Sequence, residues 1–379
     1  MTDSLVLSAG HQLRDRAGPL AEATVACEFG RHADLRQRFG ANGRAKLRQG
    51  AVDQFSTLAD AVDADSQALF NDHLGWNKAL ACPAMRSEDL ERHLRCMADV
   101  VREQMPPQVA GRAVAMLDAA RAELPAMGCT TNSLLVSGQP HAQLAQDYVN
   151  ALLGGYRRAA GHLVFEALER GESVRSLYLQ VLQPALWEVG RLWQVQKITV
   201  AQEHFCSVAT QILMAQLLPR QTAAARRGRG VVIACVSGDL HEVGARMVGD
   251  FFEMAGWDTY FCGANTPHAA MVQSVVDRGA DVLAVSATMG RHVHAVQDLA
   301  ELARADPRCS RVRILVGGHP FNVDPKLWRA VGADGTAPDA DAAVALAESW
   351  LAGSAGHSSG PPAGPRVGPT RRTPRVTPP

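Results

Sequence analysis

The sequence predicts an all-α half followed by an α/β half built on a doubly wound parallel sheet. Two observations carry this. Up to about residue 219, apolar residues recur at three- and four-residue steps, the period of amphipathic helices. From 230 to 352, short β-branched apolar runs (VVIACV, DVLAVSA, VRILVGG) alternate with helical stretches. Strands that are apolar along their whole length must be covered on both faces, which is the condition of a parallel sheet between helix layers.

Each part follows in chain order. Residues 1–125 form an N-terminal helical region, in which LRQRFGANGRAKLRQGAVDQFSTLADAV and SEDLERHLRCMADVVREQM carry the helical pattern. Ser87 with Glu88 and Asp89 starts a helix there, and Pro106-Pro107 stops it. The turn-rich LPAMGCTTNSLLVSGQPHAQ reads as a linker over 126–143. A second helical block covers 144–220, with segments near 144–169, 173–192 and 199–218, and a basic hinge follows at 221–229. The α/β unit occupies 230–352. The tail, 353–379, is dominated by Gly, Pro and Ser and lacks the apolar surface needed to fold.

Bulk properties narrow the function classes. Among the 379 residues, Lys+Arg and Asp+Glu both number 38, so no charge bias points to nucleic acid or a membrane surface. Apolar runs fall far short of the roughly 18 residues needed to cross a bilayer, and the N-terminus lacks the basic start and apolar core of an export signal. The eight cysteines are scattered without a CxxC pair, which fits reduced thiols in the cytoplasm.

In an open α/β sheet, ligands bind beyond the carboxyl ends of the strands. Three such loops carry chemistry: Asp239, His241 and Gly244 after VVIACV, Ser286 and Thr288 after DVLAVSA, and Gly317-Gly318 after VRIL. A carboxylate bonded to one imidazole nitrogen fixes the tautomer and raises the basicity of the other, as a metal-ligating His requires. Gly244 would let the chain turn beside a bulky ligand, and Gly317-Gly318 would let something long lie against the backbone. His292 and His294, two apart on a helix, point in different directions and do not form a metal pair.

The order DLHEVG, then SAT, then GG resembles the cobalamin-binding fold of corrinoid proteins, and MVGDFFEMAGWDTYFCGANTP between them resembles that family's helix, strand and GxNxP turn. The likeness covers roughly residues 142–350. It implies five parallel strands beneath a four-helix-bundle cap, with His241 as the lower cobalt ligand and Asp239 as its partner. Ser286, Thr288, Gly317 and Gly318 would line the slot for the nucleotide tail of the cobalamin.

Within the cap, Trp193 is followed after nine residues by Glu203-His204. This is similar to the signature of adenosylcobalamin-dependent photoreceptors and related regulators, where the indole fills the volume above the corrin and Glu and His reach the adenosyl group. The resemblance implies a cobalamin-binding sensory protein rather than an enzyme, with adenosylcobalamin as a light-sensitive chromophore controlling self-association or a protein partner; as an enzyme it would be a corrinoid-dependent methyltransferase component. The alternative is a corrinoid methyl carrier of a methyltransferase system, holding methylcobalamin. Two features depart from the light sensors. Gln194 replaces the His that follows their Trp, and RHADLRQRFGANGRAKL, though it could mimic a helix-turn-helix, lacks a basic recognition face, so direct DNA binding is not evident. Residues 1–125 read instead as an interaction or dimerisation module.

Overall fold

The computed structural model describes residues 8–32, 34–81, 87–128, 132–136, 138–221 and 224–352. The predicted tail lies outside these residues, as do parts of the predicted linker and hinge. Six helices come first: α1 (Ala9–Asp15), α2 (Ala17–Arg31), α3 (Asp34–Ala64), α4 (Gln67–Ala81), α5 (Ser87–Gln104) and α6 (Pro107–Glu123). From Asp34 onward, the stretch that could mimic a helix-turn-helix lies within one continuous helix, α3, with no turn at its glycines. α6 opens with proline, which costs nothing where the first amide has no helical partner.

The second helical block comprises α7 (Ala142–Leu153), α8 (Arg157–Glu169), α9 (Val174–Leu177), a π-helical turn (Tyr178–Leu182), α10 (Gln183–Gln194) and α11 (Val200–Leu217). The segment expected as one helix over 144–169 is two, broken at Gly154-Gly155, where Gly155 takes φ 78°. A left-handed residue ends a helix, and glycine adopts it at no steric cost. α11 begins with a capping box: the Thr199 side chain accepts from the Gln202 amide, while the Gln202 side chain accepts from the Thr199 amide.

The α/β unit runs β1 (Gly230–Cys235), α12 (Val243–Met254), β2 (Asp258–Phe261), α13 (His268–Arg278), β3 (Val282–Ser286), α14 (Val293–Ala305), β4 (Arg313–Gly317), α15 (His319–Val323), α16 (Leu327–Ala330), β5 (Gly335–Thr336) and α17 (Ala340–Ala352). The five strands are all parallel in the order β2-β1-β3-β4-β5. The order reverses between β1 and β3, and the crevice at that switch point is where such a sheet takes a ligand.

Side-chain alternation along the strands divides the molecule into two cores. Val232, Ala234, Val236, Leu283, Val285, Ile314 and Val316 pack with α13, α14 and the N-terminal helices. Val231, Ile233, Cys235, Val282, Ala284 and Leu315 pack with α12, α17 and the second helical block. Each helical region thus completes the apolar core on one face of the sheet. A buried polar contact anchors the second block to α12: the Tyr178 hydroxyl lies 2.9 Å from Asp250 Oδ2 and 3.1 Å from the Met214 carbonyl.

Candidate functional site

The loop after β1 turns at Gly238, whose φ is 86°. Asp239 is fully buried beneath it and is the hub of the site. Its Oδ1 accepts from the His241 amide at 3.0 Å and lies 2.7 Å from His241 Nδ1, while Oδ2 accepts from the Thr288 amide at 2.6 Å. His292 Nδ1 stands 3.6 Å from Oδ2, within ion-pair range but too long for a hydrogen bond. Burial alone would raise the Asp239 carboxyl, but the hydrogen bonds from His241 and Thr288, with the His292 ring close by, outweigh it and hold the group well below the usual carboxylate range. The Asp239 bond in turn raises the His241 pKa against the opposing effect of burial.

The imidazole is thereby aimed. Nδ1 is turned to the buried carboxylate, so Nε2, across the ring, points away from it, on a side chain 58% exposed. Neighbouring loops brace this arrangement. Asn265, left-handed at φ 46°, accepts from the Gly238 amide at 2.8 Å and donates its own amide to the Asp239 carbonyl at 2.9 Å. Glu242 accepts from the Ala264 amide at 3.1 Å and, from α11, the Gln211 side chain at 3.3 Å.

The predicted positions converge unevenly. Ser286 lies in register between Cys235 of β1 and Gly317 of β4, so the three strand ends stand side by side. Thr288 contributes its backbone amide to Asp239. Gly318 has φ 104°, and a Cβ there would collide with the Ala287 backbone, so only glycine allows the β3 and β4 loops to approach. Gly244 does not form the turn expected of it. It sits in the first turn of α12, with open space where its Cβ would be, and Gly238 makes the turn instead. Trp193, at the end of α10, is 43% exposed. Glu203 accepts from Ser207 at 2.8 Å and is near enough to His241 to raise its pKa, whereas His204 is 73% exposed, 3.5 Å from Glu203. Gln194 is buried, and its Nε2 donates to the Trp76 carbonyl at 3.2 Å.

Sequence reasoning missed His292 as a neighbour of Asp239. It read the GRHVHAV pair only for divergence, and the two do diverge: His294 Nδ1 lies 3.2 Å from Asp60 Oδ2 of α3. The signal was their place directly after the Ser286–Thr288 loop.

An imidazole with a fixed tautomer, a free nitrogen facing outward and glycine-lined strand ends beside it suits a large ring carrying one metal ion in its centre. The comparisons with known proteins agree. Residues 229–345 and 144–218 each match a family described as B12 binding domain. Dimethylamine corrinoid protein 3 of Methanosarcina acetivorans is 26% identical over 193 residues, which is 50% of this chain and 89% of that protein. Dimethylamine corrinoid protein 2 of the same organism is 30% identical over 169 residues, 44% of this chain and 75% of that protein. The monomethylamine corrinoid protein of Methanosarcina barkeri superposes with a TM-score of 0.50 at 22% identity, over 56% of this chain and all of that one, and confirms the fold. The protein binds cobalamin. The light-sensor expectation is corrected by the same findings, because the relatives are named as amine corrinoid proteins.

Proposed function

The chain belongs to the corrinoid proteins with a B12 binding domain, and from that footing we propose that it is the methyl-carrying corrinoid subunit of a methyltransferase system. The bound corrinoid would supply a cobalt able to accept and donate a methyl group. Everything else is the work of this chain's residues. His241 would hold the cobalt through Nε2. Asp239 holds the proton on Nδ1 and lends the ring electron density, so the imidazole binds as a strong neutral donor. The amides of His241 and Thr288 keep the Asp239 carboxylate ionised although it is buried.

Ser286, Thr288, Gly317 and Gly318 form the slot for the cofactor's tail in this reading, and Gly244 leaves room beside it. Trp193, Glu203 and His204 lie at the rim on the second helical block. The partly exposed Trp193 suits a cap that swings aside for a partner enzyme. Units of 1–125, 144–220 and 230–352, joined at 126–143 and 221–229, follow from the same reading, with 353–379 as a tail. Among the described residues no helix is long and apolar enough to cross a membrane. Their free cysteines, Cys206 and Cys235 buried among them, support a cytoplasmic setting.

One observation carries the proposal: the 2.7 Å Asp239–His241 contact at the sheet's switch point, in a relative of dimethylamine corrinoid proteins. The test compares methylcobalamin with adenosylcobalamin by equilibrium binding to the purified full chain. A methyl carrier holds methylcobalamin at least as tightly, and Trp193→Ala leaves that affinity within about threefold, since only a partly exposed contact is lost. Retention of the adenosyl form alone, abolished by Trp193→Ala, would refute the proposal.

A further inference from the structure

α4 has two faces. Leu74 and Phe70 point into the N-terminal core, where Lys78 Nζ also bonds the Leu124 and Met127 carbonyls at 2.7 and 2.5 Å. The opposite face meets the rest of the chain at successive points. At its start the Ser66 hydroxyl donates to Asp324 at 2.6 Å, and the Leu69 side chain closes over Gly290 in the loop after β3. One turn on, Asp72 Oδ2 lies 2.9 Å from His319 Nε2 after β4. Near its end the Trp76 carbonyl accepts from Gln194, the neighbour of Trp193. α4 therefore runs along the carboxyl edge of the sheet, from the loops of β3 and β4 to the tip of α10.

His73 lies at the edge of this face, four residues after Leu69 and three before Trp76, and Asn77 follows it by one turn at the border with the core-facing side. His73 Nε2 and Asn77 Nδ2 are buried atoms without a hydrogen-bond partner, as is His292 Nδ1 on the other side of the interface. The Leu69–Gly290 contact sets α4 against the loop that carries Arg291 and His292, the same loop whose Thr288 amide bonds Asp239. Burial pushes the His73 pKa down to about 4, against the raising effect of Asp72 and with that of Arg291, so its ring is neutral at pH 7. A buried polar group left unpaired is unfavourable. Clustered at a ligand site, such groups mark where a ligand's polar atoms belong.

We propose that α4 is a third wall of the corrinoid site, with His73 and Asn77 hydrogen-bonded to the carboxamide side chains on the corrin rim. The N-terminal helical region then serves cofactor retention as well as any partner. The proposal rests on cobalamin lying above His241.

The test uses the full chain and hydroxocobalamin. Hydrogen exchange followed by mass spectrometry should slow in α4 at the same cofactor concentration that protects residues 237–244. Protection of 237–244 with none in α4 overturns the proposal alone. Protection of neither overturns the placement above His241 and this proposal with it. A His73→Leu, Asn77→Leu double variant replaces the orphaned polar atoms with apolar ones. It should melt no lower than the parent, yet bind hydroxocobalamin about tenfold more weakly with an unchanged visible spectrum. Unchanged affinity would show a purely structural interface. A shifted spectrum would make His73 an axial ligand and overturn the rim assignment.

Discussion

At the scale of single residues, the site depends on a buried carboxylate that cannot readily protonate. Asp239 gains two backbone amides and an imidazole, so its negative charge persists and fixes which nitrogen of His241 is free. Asp239→Asn would leave the His241 ring without an ionic acceptor, and loss of such an outer partner lowers metal affinity by roughly 10–100-fold. Titrating the variant with hydroxocobalamin should show that loss, and unchanged affinity would mean that the carboxylate only shapes the loop. Gly318 is the second sensitive position. Its φ of 104° and the Ala287 backbone beside it leave no room for a Cβ, so Gly318→Ala should cost about 1–3 kcal/mol in chemical denaturation and also narrow the slot. A variant with native stability and native cobalamin uptake would contradict that role for the glycine.

At the scale of elements, the Tyr178–Asp250 contact joins the π-helical turn to α12. Burial lifts the Asp250 carboxyl to about 6 from an ordinary 3.8, opposed by the Tyr178 hydrogen bond and Arg246 and reinforced by Glu253. The native state thus holds this proton more tightly than the unfolded chain. The contribution to stability is full below the unfolded value and is lost as pH rises toward 6, by up to ~3 kcal/mol. Asp250→Asn keeps an acceptor for Tyr178 and cannot ionise, so its stability relative to the parent should climb between pH 4 and pH 7. A difference that stays flat with pH would show that the carboxyl is not perturbed.

The elements also show what the sequence could and could not reveal. The parallel sheet was legible because doubly covered strands are apolar throughout, and the site loops because Asp239, His241, Thr288 and the glycines fall at strand ends. Gly154-Gly155, a visible turn signal inside a strong helical pattern, was overridden by the period on either side. Gly238 rather than Gly244 makes the turn, since which of two nearby glycines adopts positive φ depends on the loop's hydrogen bonds. The docking of α4 was not legible. Its two faces are both partly apolar, and periodicity does not tell which surface each one meets. The photoreceptor signature failed for a related reason: a Trp and an Glu-His pair at a set spacing fix positions on two helices but do not fix what the helices cover.

At the scale of the whole molecule, both faces of the sheet are completed by helical regions that precede it in the chain. Asp60 is one of the joints. Its side chain is fully buried in α3, paired with Arg14 of α1 and in contact with His294 of α14. Asp60→Ala empties a fully buried position and removes the acceptor shared by the partly exposed Arg14 and His294, and it should destabilise the chain by about 1–3 kcal/mol. Limited proteolysis should then cut residues 1–125 faster than the sheet, whereas uniform cleavage would show that Asp60 stabilises without joining the regions.

The most direct test of the account is electron paramagnetic resonance of the protein loaded with cobalamin and reduced to cobalt(II). With His241 Nε2 as the axial donor, nitrogen hyperfine splitting on the cobalt signal changes when the histidines carry nitrogen-15, and it disappears in His241→Ala. A splitting indifferent to both the label and the substitution would mean that the cofactor keeps its own base, and that the Asp239–His241 pair holds no cobalt.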